Sequence, residues 1–398
     1  MPLATWVEVD LDQFDANIDA LSDRIGRDRR LLLVVKADAY GHGAVEIALS
    51  AAARGVRDFG VATLHEGIQL RRAGIDENIW VLSPLLDTEI PEAVAHRLEP
   101  TLPSLEFARL LSQESLRANR ATRVHVEIDT GMGRTGIDPE EAPDFLAQVA
   151  ALEGLRLGSV YTHFPDADAP EPAFTLAQWE RFQELLSGLA ARGIRPPLVH
   201  AANSAAMLRF PDTLGDVARP GLAAYGLYPP NANGLGLHAV MTFKSRLVQI
   251  RALPAGRTIS YARTFTTRRP SVIGIVPVGY GHGYSWLCSN RGAMLVGGRR
   301  APIVGRVTMD LTMIDLTDVA GARVGDEVVL FGRQEAAAIP VEEVAAWGES
   351  LSYEVLCTIG KRVTRIYLRH GRPVKVLTLL GERGRRGFEP AAIESVGS

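Results

Sequence analysis

Between residues 30 and 226 short apolar runs alternate with longer amphipathic stretches, and this rhythm limits the available folds more than any other feature of the chain. The strand-like runs fall at 31–37, 58–63, 79–83, 98–102, 123–129, 157–164, 197–203 and 217–226, and helical patterns such as 43–54, 65–73, 105–118, 142–152 and 176–191 separate most of them. Eight strands with helices between them predict a (β/α)8 barrel, with a doubly wound open sheet as the competing α/β arrangement. The fourth and eighth runs carry the weakest strand pattern.

The rhythm stops after Pro229-Pro230-Asn231-Ala232-Asn233-Gly234, where short β-rich segments separated by glycine and proline take over. The expected organisation is a barrel over 1–235, whose first ten residues are able to pack with the second domain, and a mainly antiparallel β domain over 236–379. The charged, glycine-rich stretch 380–398 is expected to be a flexible tail. A formal net charge of -3 gives no general attraction to nucleic acid or to an anionic membrane. Residues 1–10 lack the basic and long apolar regions of a signal peptide, and Cys288 and Cys357 have no metal or redox spacing, so the expected location is the cytoplasm.

In a barrel, chemistry sits at the C-terminal ends of the strands. Those ends carry Lys36, Asp129 with the turn through Gly136, His163, Asn203 and Arg219. Lys36 follows the apolar run Leu32-Leu33-Val34-Val35 and precedes Tyr40 in a glycine-containing turn. A lysine at the end of a buried strand loses hydration and is easier to deprotonate, as Schiff-base chemistry requires. The plain alternative is a strand that ends in a solvated lysine. The fifth run places His125, Glu127 and Asp129 on one face, and polar groups inside a barrel are costly unless paired. Arg134 is the evident cation for one of these carboxylates, either as an ordinary ion pair or as part of a site. Asn203-Ser204 opens a helix and Arg219-Pro220-Gly221 lies on the eighth run, in the region where barrels commonly bind phosphate. A lysine facing a phosphate cradle suits pyridoxal 5′-phosphate, which carries an aldehyde and a phosphate.

The segments Val35–Gly43, Asp129–Gly136, Thr162-His163-Phe164, His200–Ser204, Arg219-Pro220-Gly221, Ser260-Tyr261, Pro277–Gly281 and Gly305–Asp310 together resemble the alanine racemase family, over roughly residues 4 to 376. The resemblance implies interconversion of L- and D-alanine with pyridoxal 5′-phosphate and no metal, supplying D-alanine for peptidoglycan. It implies that Lys36 holds the cofactor and acts as base on one face of the substrate, and that Tyr261 of a partner subunit acts on the other. Tyr40, Ser204, Gly221 and Tyr353 would contact the phosphate, and Arg219 the pyridine nitrogen, in a hydrogen-bonded chain with Tyr261, His163 and His200. Asn203 would also face the cofactor. Arg134 and the Met309 N–H would bind the substrate carboxylate, with Asp310 beside them, and Tyr280 and Tyr353 would narrow the entrance. A homodimer with shared sites follows, and no nucleic-acid or membrane partner.

Glu127 stands where many members of that family carry a lysine modified to a carbamate that orients the substrate-binding arginine; a glutamate would supply that carboxylate directly. A broader-specificity racemase and a decarboxylase of the same architecture remain as other enzymatic readings. Decarboxylases of this kind place an acid at the ring nitrogen, which the arginine at 219 opposes. A single-domain cofactor-binding protein would lack the segment carrying Tyr261 and Met309.

Overall fold

The computed structural model describes residues 3–232 and 234–383. The described residues form two compact units, one within 13–238 and the other made of 3–12 with 239–383. The first strand, β1 (Thr5–Asp10), belongs to the second of these, where it pairs with a strand at Met241–Arg246 and with another at Thr364–Arg369.

The unit over 13–238 is the expected barrel. Its strands are β2 (Arg30–Val34), β3 (Asp58–Val61), β4 (Asn78–Val81), β5 (Glu99–Pro100), β6 (Thr122–Glu127), β7 (Leu155–Tyr161), β8 (Val199–His200) and β9 (Val217–Ala218). All pair in parallel, in the order β5-β4-β3-β2-β9 and β6-β7-β8. Two single parallel bridges, Thr101 to His125 and Asn203 to Arg219, join these arcs into a closed ring. The apolar runs are buried on both faces, as a parallel sheet covered by helices requires; Leu32, Leu33, Phe59, Ile79, Trp80 and Val81 are all inaccessible to solvent.

The eighth run differs from its expected length: the strand itself covers only Val217–Ala218, a single bridge at Arg219 follows, and Leu222–Tyr225 forms a helical turn instead. Pro220 lacks the N–H that a longer ladder needs. The helix Leu11–Ile25, which precedes the alternating region, was outside the sequence expectation. Helices follow where the pattern places them, among them Ala44–Ala53, Leu64–Arg72, Leu105–Arg117, Ala142–Ala150 and Ala173–Ala191.

The other unit is mainly antiparallel. One sheet runs in the order Arg299–Pro302, Ala293–Val296, Glu327–Gln334, Met241–Arg246, β1, Thr364–Arg369, Arg372–Thr378 and Gly381–Arg383; the only parallel pair on that path is β1 with Thr364–Arg369. A three-stranded sheet of Gln249–Leu253, Ser271–Val276 and Thr312–Asp315 and a short hairpin of Thr258–Ile259 with Phe265–Thr266 complete it. Of the stretch expected to be a flexible tail, Gly381–Arg383 forms a strand, and 384–398 lies outside the described residues. Among the described residues no helix is long and apolar enough to cross a membrane.

Candidate active site

Lys36 lies just beyond β2, and the chain turns there in an unusual way. Ala37, Asp38, Ala39 and Tyr40 all have φ of 53° to 55°, one turn of left-handed helix without a glycine. L-residues adopt that region at a cost of about 1–2 kcal/mol each, so the surroundings must hold it in place. Glu66 does so: its Oε1 accepts from the Ala37 N–H at 2.7 Å while its Oε2 accepts from the N–H groups of Ala62 and Thr63. Thr63 Oγ1 in turn accepts from the Glu66 N–H, a capping box at the start of Leu64–Arg72. Asp38 Oδ1 accepts from the Ala44 N–H at 2.9 Å, tying the turn to the next helix. Neither Glu66 nor Asp38 is marked by the sequence pattern as part of a site; the capping box at Thr63 is the available signal for the first.

Across the barrel mouth, Ser204 Oγ accepts from the N–H of Gly221 at 2.9 Å and of Ala223 at 3.2 Å. A Cβ at Gly221 would lie 2.4 Å from the Tyr40 hydroxyl, so only glycine admits the tyrosine at this point. Tyr40, Ser204 and the backbone at 221 are thus brought together at one point of the barrel mouth. Asn203 caps the helix Ser204–Arg209 through Oδ1 and donates to the Phe164 carbonyl at 3.1 Å.

Arg219, directly after β9, is buried. Its Nη1 donates to His200 Nδ1, and its Nη2 faces the Thr162 carbonyl at 2.9 Å, His163 Nδ1 at 3.0 Å and the Ala201 carbonyl at 3.1 Å. Burial lowers its pKa to about 10 against the opposing influence of Tyr161 and Glu127, so the guanidinium stays protonated at neutral pH. Burial also pushes His163 well below the usual imidazole value, and the charges of Arg219, Arg134 and Lys36 add to the effect. His200 is lowered well below for the same first reason, burial, followed by Arg219, His125 and His163. Both rings are neutral at pH 7.

The polar face of β6 finds partners. His125 bonds Ser159 and Glu99, and Glu127 accepts from Thr135 Oγ1 at 2.6 Å with Arg134 Nη2 at 4.0 Å. Burial raises the Glu127 pKa against the hydrogen bond from Thr135 and the charges of Arg134 and Arg219. Burial would raise Asp129 as well, but the N–H groups of Gly133, Gly131 and Met132 converge on its carboxylate and hold it below its usual value. Asp129 therefore shapes the turn that presents Arg134.

Tyr261, Tyr280, Met309, Asp310 and Tyr353 belong to the other unit. Tyr261 sits in a hairpin turn in which Ser260, Ala262 and Arg263 all have positive φ, and its ring is 74% exposed. Ser260 Oγ donates to the Arg306 carbonyl at 2.7 Å, and the N–H groups of Tyr280 and Gly281 donate to the carbonyls of Thr308 and Met309. These bonds gather Tyr261, Tyr280 and Met309 onto one exposed edge. Arg362 pairs with Asp310 at 2.7 Å behind the Met309 loop. Tyr353, half-buried, lies on the short helix Ser352–Cys357, whose neighbour Thr358 donates to the Gly283 carbonyl at 3.1 Å. A cleft of about 840 Å³ opens at the opposite end of the barrel; it is lined by charged residues, among them the pair Arg57 and Glu77, and it holds none of these groups.

Family models for the N-terminal and C-terminal domains of alanine racemase match residues 9–229 and 240–367. An alanine racemase of Symbiobacterium thermophilum is 42% identical over 91% of this chain and 97% of its own length, and one of Halothermothrix orenii is 39% identical over 91% and 96%. Among solved structures, an alanine racemase of Bacillus anthracis with bound L-Ala-P superposes with a TM-score of 0.89 at 36% identity, covering 96% of this chain and 99% of that one. One of Bartonella henselae with covalently bound pyridoxal phosphate gives 0.84 at 28% identity, covering 92% and 100%. The resemblance read from the motifs therefore holds along both units, and the chain belongs to the alanine racemase family of isomerases.

Proposed function

We propose that this chain interconverts L- and D-alanine with pyridoxal 5′-phosphate, as a homodimer in the cytoplasm that supplies D-alanine for peptidoglycan. The observation that carries this reading is Arg219, a buried group protonated at neutral pH and fixed by two histidines and two carbonyls. An arginine there cannot give its proton to a ring nitrogen, which suits a proton exchange at carbon that returns amino acid rather than deaminating it. The residues present fit the cofactor: Lys36 carries an amine, the hydroxyls of Tyr40 and Ser204 meet the backbone at Gly221 where they would hold a phosphate, and Tyr353 is the expected further contact.

When bound, the cofactor withdraws electrons from the substrate α-carbon, so that its hydrogen departs as a proton. Lys36 Nζ takes or returns that proton on one face, and the partner's Tyr261 does so on the other. Exposure of Tyr261 and Met309 at one edge is consistent with their serving a neighbouring subunit. Arg134 and the Met309 N–H hold the carboxylate, Glu127 steadies Arg134, and Asp310 with Arg362 steadies the Met309 loop. Tyr280 and Tyr353 restrict the side chain to a methyl group. Asn203 keeps Ser204 in register at the cradle.

The test is incubation of purified protein and cofactor with L-alanine, L-serine or L-lysine in deuterated water. α-Deuterium in both enantiomers of alanine alone is the expected result. Carbon dioxide release, or no exchange, defeats the reading, and equal exchange into serine defeats its specificity.

A further inference from the structure

The hydrogen bonds around Arg219 do not stop at His200. His200 Nε2 lies 3.0 Å from Ser159 Oγ, Ser159 Oγ lies 2.8 Å from His125 Nδ1, and His125 Nε2 lies 3.2 Å from Glu99 Oε2. Glu99 Oε1 is 3.4 Å from Arg123 Nη1, whose side chain reaches solvent. A continuous line of polar groups therefore runs through the barrel core from Arg219 to the rim at Glu99.

The chemistry of its ends fixes every proton along it. An arginine has only donors, so His200 Nδ1 must accept, and a neutral His200 then carries its proton on Nε2. That proton goes to Ser159 Oγ, which turns its own hydrogen to His125 Nδ1. His125 consequently carries its proton on Nε2 and gives it to the Glu99 carboxylate. All donors point the same way, and the carboxylate closes the line. Aromatic neighbours fix the ring planes as well: Trp80 stacks on His125 at 3.8 Å and 15°, and Tyr161 on His200 at 4.8 Å and 7°. Burial keeps both imidazoles neutral, since it lowers His125 despite Glu99 and lowers His200 further. A buried carboxylate, two imidazoles and a hydroxyl are a costly way to fill a barrel that aliphatic side chains fill well. Their shared property is that they leave one lone pair, on His200 Nδ1, aimed at Arg219.

We propose that Ser159, His125 and Glu99 are positioning residues for the reaction: they lock the tautomer of His200 and thereby the orientation of the Arg219 guanidinium. The inference rests on the racemase reading for the role of Arg219, while the tautomers themselves do not. Holoenzyme of the parent, Ser159→Ala, Ser159→Thr and Glu99→Gln is compared by steady-state kinetics with L-alanine, cofactor absorbance and imidazole ¹⁵N–¹H spectra.

Ser159→Ala is expected to lower kcat about tenfold, the effect of one lost hydrogen bond to a polar network, with KM and cofactor content unchanged. The His200 nitrogens should leave the single Nε2–H pattern, and Ser159→Thr should restore both rate and pattern. Glu99→Gln keeps the shape and removes the charge, so the His125 Nε2 proton should move upfield with a smaller fall in kcat. Unchanged His200 signals in Ser159→Ala, or parental kcat in both Ser159→Ala and Glu99→Gln, overturn the proposal. A parent enzyme that shows the stated tautomers but no alanine racemisation overturns the functional reading and leaves the tautomer lock standing.

Discussion

Glu127→Gln separates what the carboxylate does for the substrate from what it does for the fold. The substitution keeps the side-chain shape and removes a charge that accepts from Thr135 Oγ1 at 2.6 Å and lies 4.0 Å from Arg134 Nη2. Two unit charges at that distance attract by about 4 kcal/mol at an effective dielectric of about 20. The Arg134 side chain is 52% exposed, so water screens most of this and about 1 kcal/mol is left. That is roughly fivefold in a binding constant. If Glu127 orients Arg134 toward the carboxylate of alanine, KM for both enantiomers rises about fivefold while kcat changes by less than about twofold. Stability moves the other way. Burial raises the Glu127 pKa above 4.5, so the folded chain holds this proton more tightly than the unfolded chain does. The stability linked to that proton is present below pH 4.5 and is lost as pH rises through the raised value. Glutamine does not ionise, so the variant should gain Tm over its parent as pH rises across this window and keep the gain above it. Initial rates in both directions, with thermal melts from pH 4 to 8, read both effects. An unchanged KM together with a lower Tm at pH 8 would refute the reasoning.

Gly221→Ala places a Cβ 2.4 Å from the Tyr40 hydroxyl, and cofactor retained after dialysis, read by absorbance, should fall about tenfold or more; full retention excludes the cradle. Tyr261→Phe should keep the bound-cofactor absorbance and lose about a hundredfold or more in kcat, the range of a general acid–base group. Subunit exchange between Tyr261→Phe and Lys36→Ala should recover about a quarter of parental activity, because one site in each mixed dimer is whole; no recovery would place both groups on one chain. His125, His163 and His200 are all held below 6.5, first by burial, so the unfolded chain binds more protons than the folded one just below that value. Stability is therefore full above pH 6.5, and Tm should fall between pH 6.5 and 5; a level or rising Tm in that interval contradicts three neutral histidines.

Much of the site was legible because strand ends are short in sequence and the chemistry concentrates there. Lys36, His163 and Arg219 can be picked out as polar residues that terminate apolar runs, and the closed parallel ring follows from counting those runs. The fourth and eighth strands of the barrel are harder to read, since Glu99–Pro100 and Val217–Ala218 each pair over only two residues and the ring closes through single bridges at Thr101 and Asn203. Periodicity registers little in so short a stretch. The line from Arg219 to Glu99 was illegible for a different reason: His125 and Ser159 oppose one another only because the pairing of β6 with β7 shifts register between Val124 and His125. No local pattern encodes that shift. The helix Leu11–Ile25 lies before the strand–helix alternation begins, so that alternation carries no signal for it.

The left-handed turn after Lys36 bears on how this enzyme can be engineered. Seven of the fourteen non-glycine residues with positive φ in the described chain flank two side chains, Lys36 and Tyr261. A search for thermostable variants would be drawn to these positions, because glycine at Ala37, Ala39 or Ala262 relieves a steric penalty that no other part of the fold concentrates so heavily. The same replacements would loosen the backbone that aims the two groups. Robustness and turnover are thus set against each other at two short segments, and stabilising changes that spare activity are to be sought in the helices around the barrel instead.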